Sequence, residues 1–196
     1  MIIAVPDGEF AAYLFDCDGT IADSMPLHYQ AWQGVLGAWG CEFSEETFYA
    51  WGGVPVADII RRLNSEQSLA MPVAEVVAHQ EALYREMLPS LTTVPGVREH
   101  IEAAHGKLPL AVVSGSTRES VTASLDVLGV LDRFDVLVCA GDYERAKPAP
   151  DAFLLAARLL GVTAGSCLVF EDTSFGVAAA TAAGMASVRV PAPWER

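Results

Sequence analysis

The segment "AAYLFDCDGT", Ala11 to Thr20, joins a short apolar run to two closely spaced aspartates. The run is continuous rather than alternating, which is typical of a strand covered on both faces. Asp16 and Asp18 follow it immediately, and a Gly-Thr pair closes the segment. Ionised carboxylates this close repel each other unless a cation or a shared proton offsets the repulsion. The segment therefore predicts a buried strand that ends at a site for a positive charge.

Similar apolar runs recur along the chain and alternate with helical patterns. One helical pattern follows Ser116, which we predict to form a capping box with Glu119. A second pattern begins near Pro150, and a third ends at Gly184. Strands that alternate with helices predict an α/β fold with a doubly wound parallel sheet. The predicted strands are residues 11–15, 110–113, 135–139, 167–170 and 186–190.

The segment after the first strand interrupts this alternation. Helical periods occur at residues 26–40, 56–64 and 73–88, and breakers such as "WGGVP" and "AMP" separate them. We therefore predict an all-helical subdomain at residues 24–92 that is inserted into a core domain. The core domain would consist of residues 1–23 and 93–196.

The charge balance limits the partners that the protein can have. The chain carries 12 basic and 25 acidic residues, a net charge of -13, which argues against a nucleic-acid or anionic-membrane surface. The N-terminal "MIIAVPDGEF" lacks signal-peptide features, and no apolar run reaches the roughly 18 residues of a membrane span. The four cysteines form no CxxC pair and are expected to be reduced, buried thiols. We expect a cytoplasmic monomer that acts on a small molecule.

Polar residues follow the predicted strands where each strand ends. Asp16 and Asp18 follow the first strand, "SGS" at 114–116 follows the second, and Glu171 and Asp172 follow the fourth. Ligands of open parallel sheets bind outside the carboxyl ends of the strands, so these groups should lie close together. Several converging carboxylates provide the oxygen ligands that magnesium prefers. The sequence therefore predicts a Mg²⁺ site at this edge of the sheet.

A lysine extends this prediction from metal binding to phosphate chemistry. Lys147 precedes the helix that leads to the second acidic pair, and Lys107 is the only other lysine. Magnesium, one lysine and a hydroxyl-bearing turn would together surround a phosphoryl group. A carboxylate can attack phosphorus, so Asp16 is the candidate nucleophile of an aspartyl-phosphate mechanism. Asp18 is the candidate acid and base, because it can protonate the leaving alcohol and later deprotonate water.

The motifs together resemble those of the haloacid dehalogenase superfamily of phosphohydrolases across nearly the whole chain. The resemblance implies that the carboxylates of Asp16 and Asp172 and the main-chain carbonyl of Asp18 bind magnesium, with Glu171 close by. It also implies that the helical insertion is a cap that closes over the cleft. The four matching motifs are Asp16-Cys17-Asp18-Gly19-Thr20, Ser114, Lys147-Pro148 and Glu171-Asp172.

Within this superfamily, "DSMPLHYQAW" and "FEDTSFGVAAATAAGM" look most like the sugar-phosphate branch, which includes beta-phosphoglucomutase and fructose-1-phosphate or 6-phosphogluconate phosphatases. Asp18 argues against a dehalogenase, and the absence of lysine from residues 24–92 argues against a phosphonatase. The expected activity is a phosphatase acting on a sugar or polyol phosphate. A phosphosugar mutase is the alternative, although it needs inward-facing cap cations. The adjacent Arg61 and Arg62 cannot both face inward from one helix.

Five further residues are assigned to the substrate side of the site. Gly115 and Ser116 are predicted to offer backbone amides to the phosphate. Gly19 and Thr20 are predicted phosphate-binding residues because they complete the first motif. His28 matches a histidine of the sugar-phosphate branch, where it lies near the second aspartate. Packing at a helix interface is the alternative role for His28.

Overall fold

The computed structural model describes residues 3–52 and 54–196, which form two units. One unit contains the chain up to Asp23 together with Leu91–Arg196, and the other is Ser24–Ser90. In the described part of the chain, no helix is both long and apolar enough to cross a membrane. The strands and helices in chain order are β1 (Ala12–Phe15), α1 (Met25–Leu36), α2 (Glu45–Ala50), α3 (Val56–Gln67), α4 (Val73–Met87), α5 (Val97–Ala104), β2 (Leu110–Val113), α6 (Arg118–Val127), β3 (Val136–Val138), α7 (Asp151–Leu160), β4 (Cys167–Glu171), α8 (Ser174–Ala182) and β5 (Ala186–Arg189).

The first unit is built on a parallel sheet with the strand order β3-β2-β1-β4-β5. In the central strand, Leu14 is paired with Ala111 of β2 on one side and with Val169 of β4 on the other. From the central strand β1, the chain first forms β2 and β3 on one side. It then crosses over and forms β4 and β5 on the other side of β1. The predicted doubly wound α/β fold is confirmed. The order reverses between β1 and β4, which is where ligands bind in such sheets.

Helices cover the sheet because the strands are apolar on both faces. On one face, Leu14 and Val169 belong to a buried cluster that also includes Phe153 of α7 and Ala180 of α8. Phe15 lies on the opposite face of the sheet and stacks on Phe170 of β4, with ring centroids 4.5 Å apart. Burial on both faces explains the continuous apolar runs. It also fixes the backbone of the residues that follow each strand.

The second unit is helical and has an apolar core of its own. Trp32 of α1, Phe48 of α2 and Ile60 of α3 are members of one buried cluster. Phe43 contacts Trp32 edge to face, with ring centroids 5.5 Å apart. Most aromatic residues of this segment therefore form core packing, whereas Trp39 is exposed.

The structure corrects one predicted helix start and adds two helices. Thr117 is the N-cap of α6, since its hydroxyl accepts from Ser120 N. The predicted capping box of Ser116 with Glu119 is therefore wrong. The pattern analysis missed α2 and α5, which have only 6 and 8 residues.

Candidate active site

The first motif forms a tight loop at the end of β1. The Asp16 amide donates to Phe170 O at 3.0 Å, so its backbone is still held by the neighbouring strand. The amides of Ile21 and Ala22 both donate to Cys17 O, which folds the following residues back on themselves. Gly19 lies in this loop with a φ of +87°, a conformation that favours glycine. Asp16 and Asp18 are therefore held on a short, internally bonded loop.

Lys147 connects the ends of three strands. Its ammonium donates to Asp16 Oδ1 at 2.6 Å, to Glu171 Oε1 at 2.7 Å and to Val113 O at 3.1 Å. Burial lowers the pKa of Lys147, but the neighbouring Asp16 and Glu171 outweigh burial and raise it overall. The lysine therefore stays charged and neutralises part of the negative charge of the site.

Three carboxylates gather around this lysine. Oxygens of Asp16, Glu171 and Asp172 all lie within 4.8 Å of one another. Burial raises the pKa of Asp16 well above its ordinary value, and burial followed by repulsion from Glu171 raises the pKa of Asp172 to about 7. One ammonium does not balance three carboxylates, so the cluster binds a proton or needs a further cation. The oxygen donors fit a hard divalent ion.

Gly19 and Thr20 lie against one of these acids. Thr20 Oγ1 donates to Asp172 Oδ1 at 3.1 Å, and Thr20 is fully buried. A Cβ atom on Gly19 would overlap Asp172 Oδ2, so glycine provides the space that this carboxylate occupies. The structure places both residues in support of Asp172.

The loop after β2 links the predicted phosphate site to Asp18. Ser114 N donates to Val138 O at 2.9 Å, which fixes the start of the loop. Ser116 N donates to Ser114 Oγ at 3.0 Å, and Ser116 Oγ donates to Asp18 Oδ2 at 2.7 Å. The amide and hydroxyl hydrogens of Ser116 are thus bonded within the protein. Gly115 is exposed with open space around its Cα, so a ligand can approach its backbone closely.

Two residues that sequence reasoning missed support the site. Tyr143 donates its hydroxyl to Ser114 O at 3.2 Å. Thr173 donates its amide and its hydroxyl to Glu171 Oε2, at 2.7 and 2.9 Å. The sequence does carry a signal for Thr173, because a threonine between the acidic pair and a predicted helix is a candidate helix cap beside the site. Tyr143 carries no comparable signal, since its contact with Ser114 spans 29 residues.

His28 belongs to the helical unit, where it packs against α4. Its ring stacks on Tyr84 with centroids 3.9 Å apart, and its Nδ1 lies 3.4 Å from Gln80 Nε2. Both partners are buried. Within this unit His28 contributes to helix packing.

Comparisons with known proteins match almost all of the chain. The haloacid dehalogenase-like hydrolase family matches residues 13–190. Fructose-1-phosphate phosphatase YqaB of Escherichia coli is 40% identical over 93% of this chain and 97% of its own length. Hexitol phosphatase A of E. coli is 32% identical over 92% of this chain and 83% of its own length. The crystal structure of CbbY from Rhodobacter sphaeroides in complex with phosphate superposes with a TM-score of 0.84 and 25% identity, covering 95% of this chain and 88% of CbbY. The chain therefore belongs to the haloacid dehalogenase-like hydrolases.

Proposed function

We propose that the protein is a magnesium-dependent phosphatase that hydrolyses a small sugar or polyol phosphate through an aspartyl phosphate on Asp16. One observation carries the proposal. Asp16 accepts a hydrogen bond from the charged Lys147 and belongs to a cluster of three carboxylates that could hold a cation, while Ser116 donates to the second aspartate, Asp18. This arrangement combines a nucleophile, charge neutralisation and an acid for the leaving group, as phosphoryl transfer requires. We assign it to a core domain of residues 1–23 and 93–196, with residues 24–92 as a helical domain.

The relatives support this choice of substrate class. YqaB is described as a fructose-1-phosphate phosphatase, and this chain shares 40% of its residues with it over nearly the whole length of both. The hexitol phosphatase A of E. coli and the phosphorylated carbohydrates phosphatase of Thermotoga maritima are also similar to this chain. We infer a substrate of the fructose 1-phosphate or 6-phosphogluconate type.

The acid cluster is the proposed magnesium site. The carboxylates of Asp16 and Asp172 and the main-chain carbonyl of Asp18 would hold the ion, with Glu171 adjacent. The donor set fits, because it consists of oxygens that have a surplus of negative charge. When bound, the ion would neutralise charge on the phosphoryl oxygens.

In the first step, a carboxylate oxygen of Asp16 attacks phosphorus and the bond from phosphorus to the sugar oxygen breaks. Asp18 gives its proton to that oxygen, so the sugar leaves as a neutral alcohol. The Lys147 ammonium stays beside Asp16 and stabilises negative charge on the transferring group. Ser114 can donate its hydroxyl hydrogen to the phosphoryl group, because its oxygen already accepts from Ser116 N.

In the second step, water attacks the phosphorus of the aspartyl phosphate. Asp18, now a carboxylate, takes a proton from the water, and the bond from phosphorus to Asp16 breaks. The products are inorganic phosphate, a free Asp16 carboxylate and a protonated Asp18. The cycle thus returns both aspartates to their starting forms.

The arginines of the helical unit support hydrolysis over the mutase alternative. A mutase must hold a second phosphate, which requires cations that are available to the substrate. Residues 24–90 contain three arginines and no lysine. Each arginine pairs with an acid on its own helix, Arg61 with Asp58, Arg62 with Glu66 and Arg85 with Glu81. These exposed pairs are weak, so it is the small number of cations that disfavours a mutase.

The experiment that tests the proposal is phosphate release from a panel of phosphorylated metabolites, with and without magnesium. The panel includes fructose 1-phosphate, 6-phosphogluconate and both glucose monophosphates, and the sugar products are analysed in parallel. We expect magnesium-dependent release that is abolished by Asp16→Asn and retained by Asp7→Asn, which changes an exposed aspartate. Isomerisation of glucose 1-phosphate without release would favour the mutase, and substantial activity of Asp16→Asn would refute the nucleophile.

A further inference from the structure

Glu171 is the most deeply buried member of the acid cluster, and donors of the protein surround it. Glu171 is 1% exposed. Its Oε1 accepts from the Lys147 ammonium, and its Oε2 accepts from both the amide and the hydroxyl of Thr173. A buried charge is held in place only when such donors satisfy it. The position of Glu171 is therefore set by Lys147 on one side and Thr173 on the other.

The Thr173 hydroxyl has a defined direction. Thr173 is the N-cap of α8, and its Oγ1 accepts from Gly176 N at 3.0 Å while it donates to Glu171 Oε2 at 2.9 Å. The hydroxyl hydrogen therefore points to the carboxylate. The first turn of α8 adds the positive end of the helix dipole, which favours a negative charge at this place.

Gly176 provides the space for this arrangement. It is a buried residue in the first turn of α8, and a Cβ atom built on it would overlap Glu171 Oε1 and Cδ. Any larger residue would force the carboxylate away from the helix. Since the same oxygen accepts from Lys147, moving it would also move the ammonium.

We propose that Thr173 is a positioning residue: acting through Glu171, it holds the Lys147 ammonium against Asp16, and Gly176 leaves the space that this requires. Hydrogen bonds lead without a break from Thr173 Oγ1 to Glu171, from Glu171 to Lys147 Nζ, and from there to Asp16 Oδ1. The consequence for catalysis rests on the proposed function. The position of the Lys147 ammonium does not depend on the proposed function and can be measured separately.

Because Lys107 and Lys147 are the only lysines, NMR of protein labelled with ¹⁵N-lysine can observe the ammonium directly. Lys107 is exposed, so its ammonium hydrogens exchange rapidly with water. Lys147 is 12% exposed and bonded to three acceptors, so its ammonium should give a protected signal. Lys107→Arg assigns that signal. Spectra are recorded in magnesium-containing buffer.

We expect the protected signal to persist in Thr173→Ser, which keeps the hydroxyl, and to shift or vanish in Thr173→Val and in Gly176→Ala. Thr117→Val is the matched control, because Thr117 caps α6 in the same way, and it should keep the signal. Thr173→Ala replaces the valine variant if that variant does not fold. An unchanged signal in folded Thr173→Val or Thr173→Ala would overturn the proposal, as would a wild-type spectrum without a protected ammonium.

Kinetics provide a second readout. Thr173→Val should lower kcat/KM for the best sugar phosphate by about 10- to 100-fold, a typical effect for groups that orient site residues, and Thr173→Ser should recover most of it. If the wild type hydrolyses no sugar phosphate, the proposed function fails while the lysine signal still decides the role of Thr173. Full activity of folded Thr173→Val would overturn that role.

Discussion

Ser116 Oγ donates a hydrogen bond to Asp18 Oδ2 at 2.7 Å, joining residues that lie 98 positions apart in the sequence. The bond fixes the rotation of the carboxyl group that we propose as acid and base. A misplaced acid matters most when the leaving group needs a proton. Replacing Ser116 should therefore slow the hydrolysis of substrates whose leaving group needs a proton more than that of substrates whose leaving group does not.

We expect Ser116→Ala to lower kcat/KM for a sugar phosphate by at least about 10-fold, within the range that one positioned acid contributes. For p-nitrophenyl phosphate, whose phenolate leaves without protonation, the loss should be much smaller. The measurement is the ratio of kcat/KM for the two substrates in the wild type, Ser116→Ala and Ser116→Thr. Equal losses for both substrates would mean that Ser116 acts on the phosphate and not through Asp18.

Gly19→Ala should weaken cation binding, because the added Cβ would overlap Asp172 Oδ2 and displace that carboxylate. We expect the magnesium affinity to fall by about 10- to 100-fold, as for other changes that disturb the groups around a metal site. Calorimetric titration of the metal-free protein measures this affinity without relying on activity.

The control for Gly19→Ala is Gly129→Ala. Gly129 also has a positive φ, +65°, but a Cβ atom there would meet open space. Alanine disfavours this backbone conformation, so each variant should lose at least about 1 to 2 kcal/mol of folding free energy. Gly19→Ala should lose more, because its Cβ also overlaps Asp172. Only Gly19→Ala should lose magnesium affinity. A similar loss in both variants would show that general destabilisation is the cause.

The sequence predicted the sheet because its strands are buried on both faces and therefore stand out as continuous apolar runs. It also located the acids, since they follow those runs directly. It failed at Ser116 and Thr117, where two consecutive hydroxyl residues offer equivalent helix caps. In the structure Ser116 donates to Asp18, and Thr117 is the helix cap. The sequence around Ser116 does not reveal a partner that lies 98 residues away.

The orientation of the acidic pair was equally beyond the sequence. The sequence shows two adjacent carboxylates, Glu171 and Asp172, but not which of them accepts a hydrogen bond from Lys147. That choice depends on how closely α8 approaches the strand end, which Gly176 permits. A glycine in a helix usually costs stability, so its place here indicates a packing requirement.

Asp23 forms the ion pair that balances a nearly buried arginine. Arg196 Nη2 donates to Asp23 Oδ1 at 3.0 Å, and the arginine side chain is 10% exposed. Asp23→Asn should lower the free energy of unfolding by about 1 to 3 kcal/mol, because it leaves the guanidinium without its counter-charge. Urea unfolding measures the loss.

A double-mutant cycle is the control for this ion pair. Arg196→Met removes the charge but keeps an apolar stem, so combining it with Asp23→Asn should cost less than the sum of the two single changes. Additive losses would show that the two side chains contribute to stability independently.

Magnesium binding should strengthen as the pH rises from 6 to 8. Burial and the neighbouring Glu171 raise the pKa of Asp172 to about 7, and burial raises that of Asp16 as well. At pH 6 most Asp172 carboxyls hold a proton that a cation must displace, so the affinity should be at least about 10-fold weaker than at pH 8. Calorimetry in buffers of different ionisation enthalpy would also detect the released proton.

The stability of the metal-free protein should change with pH in the opposite direction. Between the ordinary aspartate pKa and about 7, the folded state keeps a proton on Asp172 that the unfolded chain has lost. The free energy of unfolding must therefore decrease as the pH rises through this window. Thermal melts in EDTA should show a lower Tm at pH 8 than at pH 6, with the difference reduced in Asp172→Asn. An identical slope in that variant would assign the pH dependence to other groups, because asparagine keeps the shape of the side chain and cannot titrate.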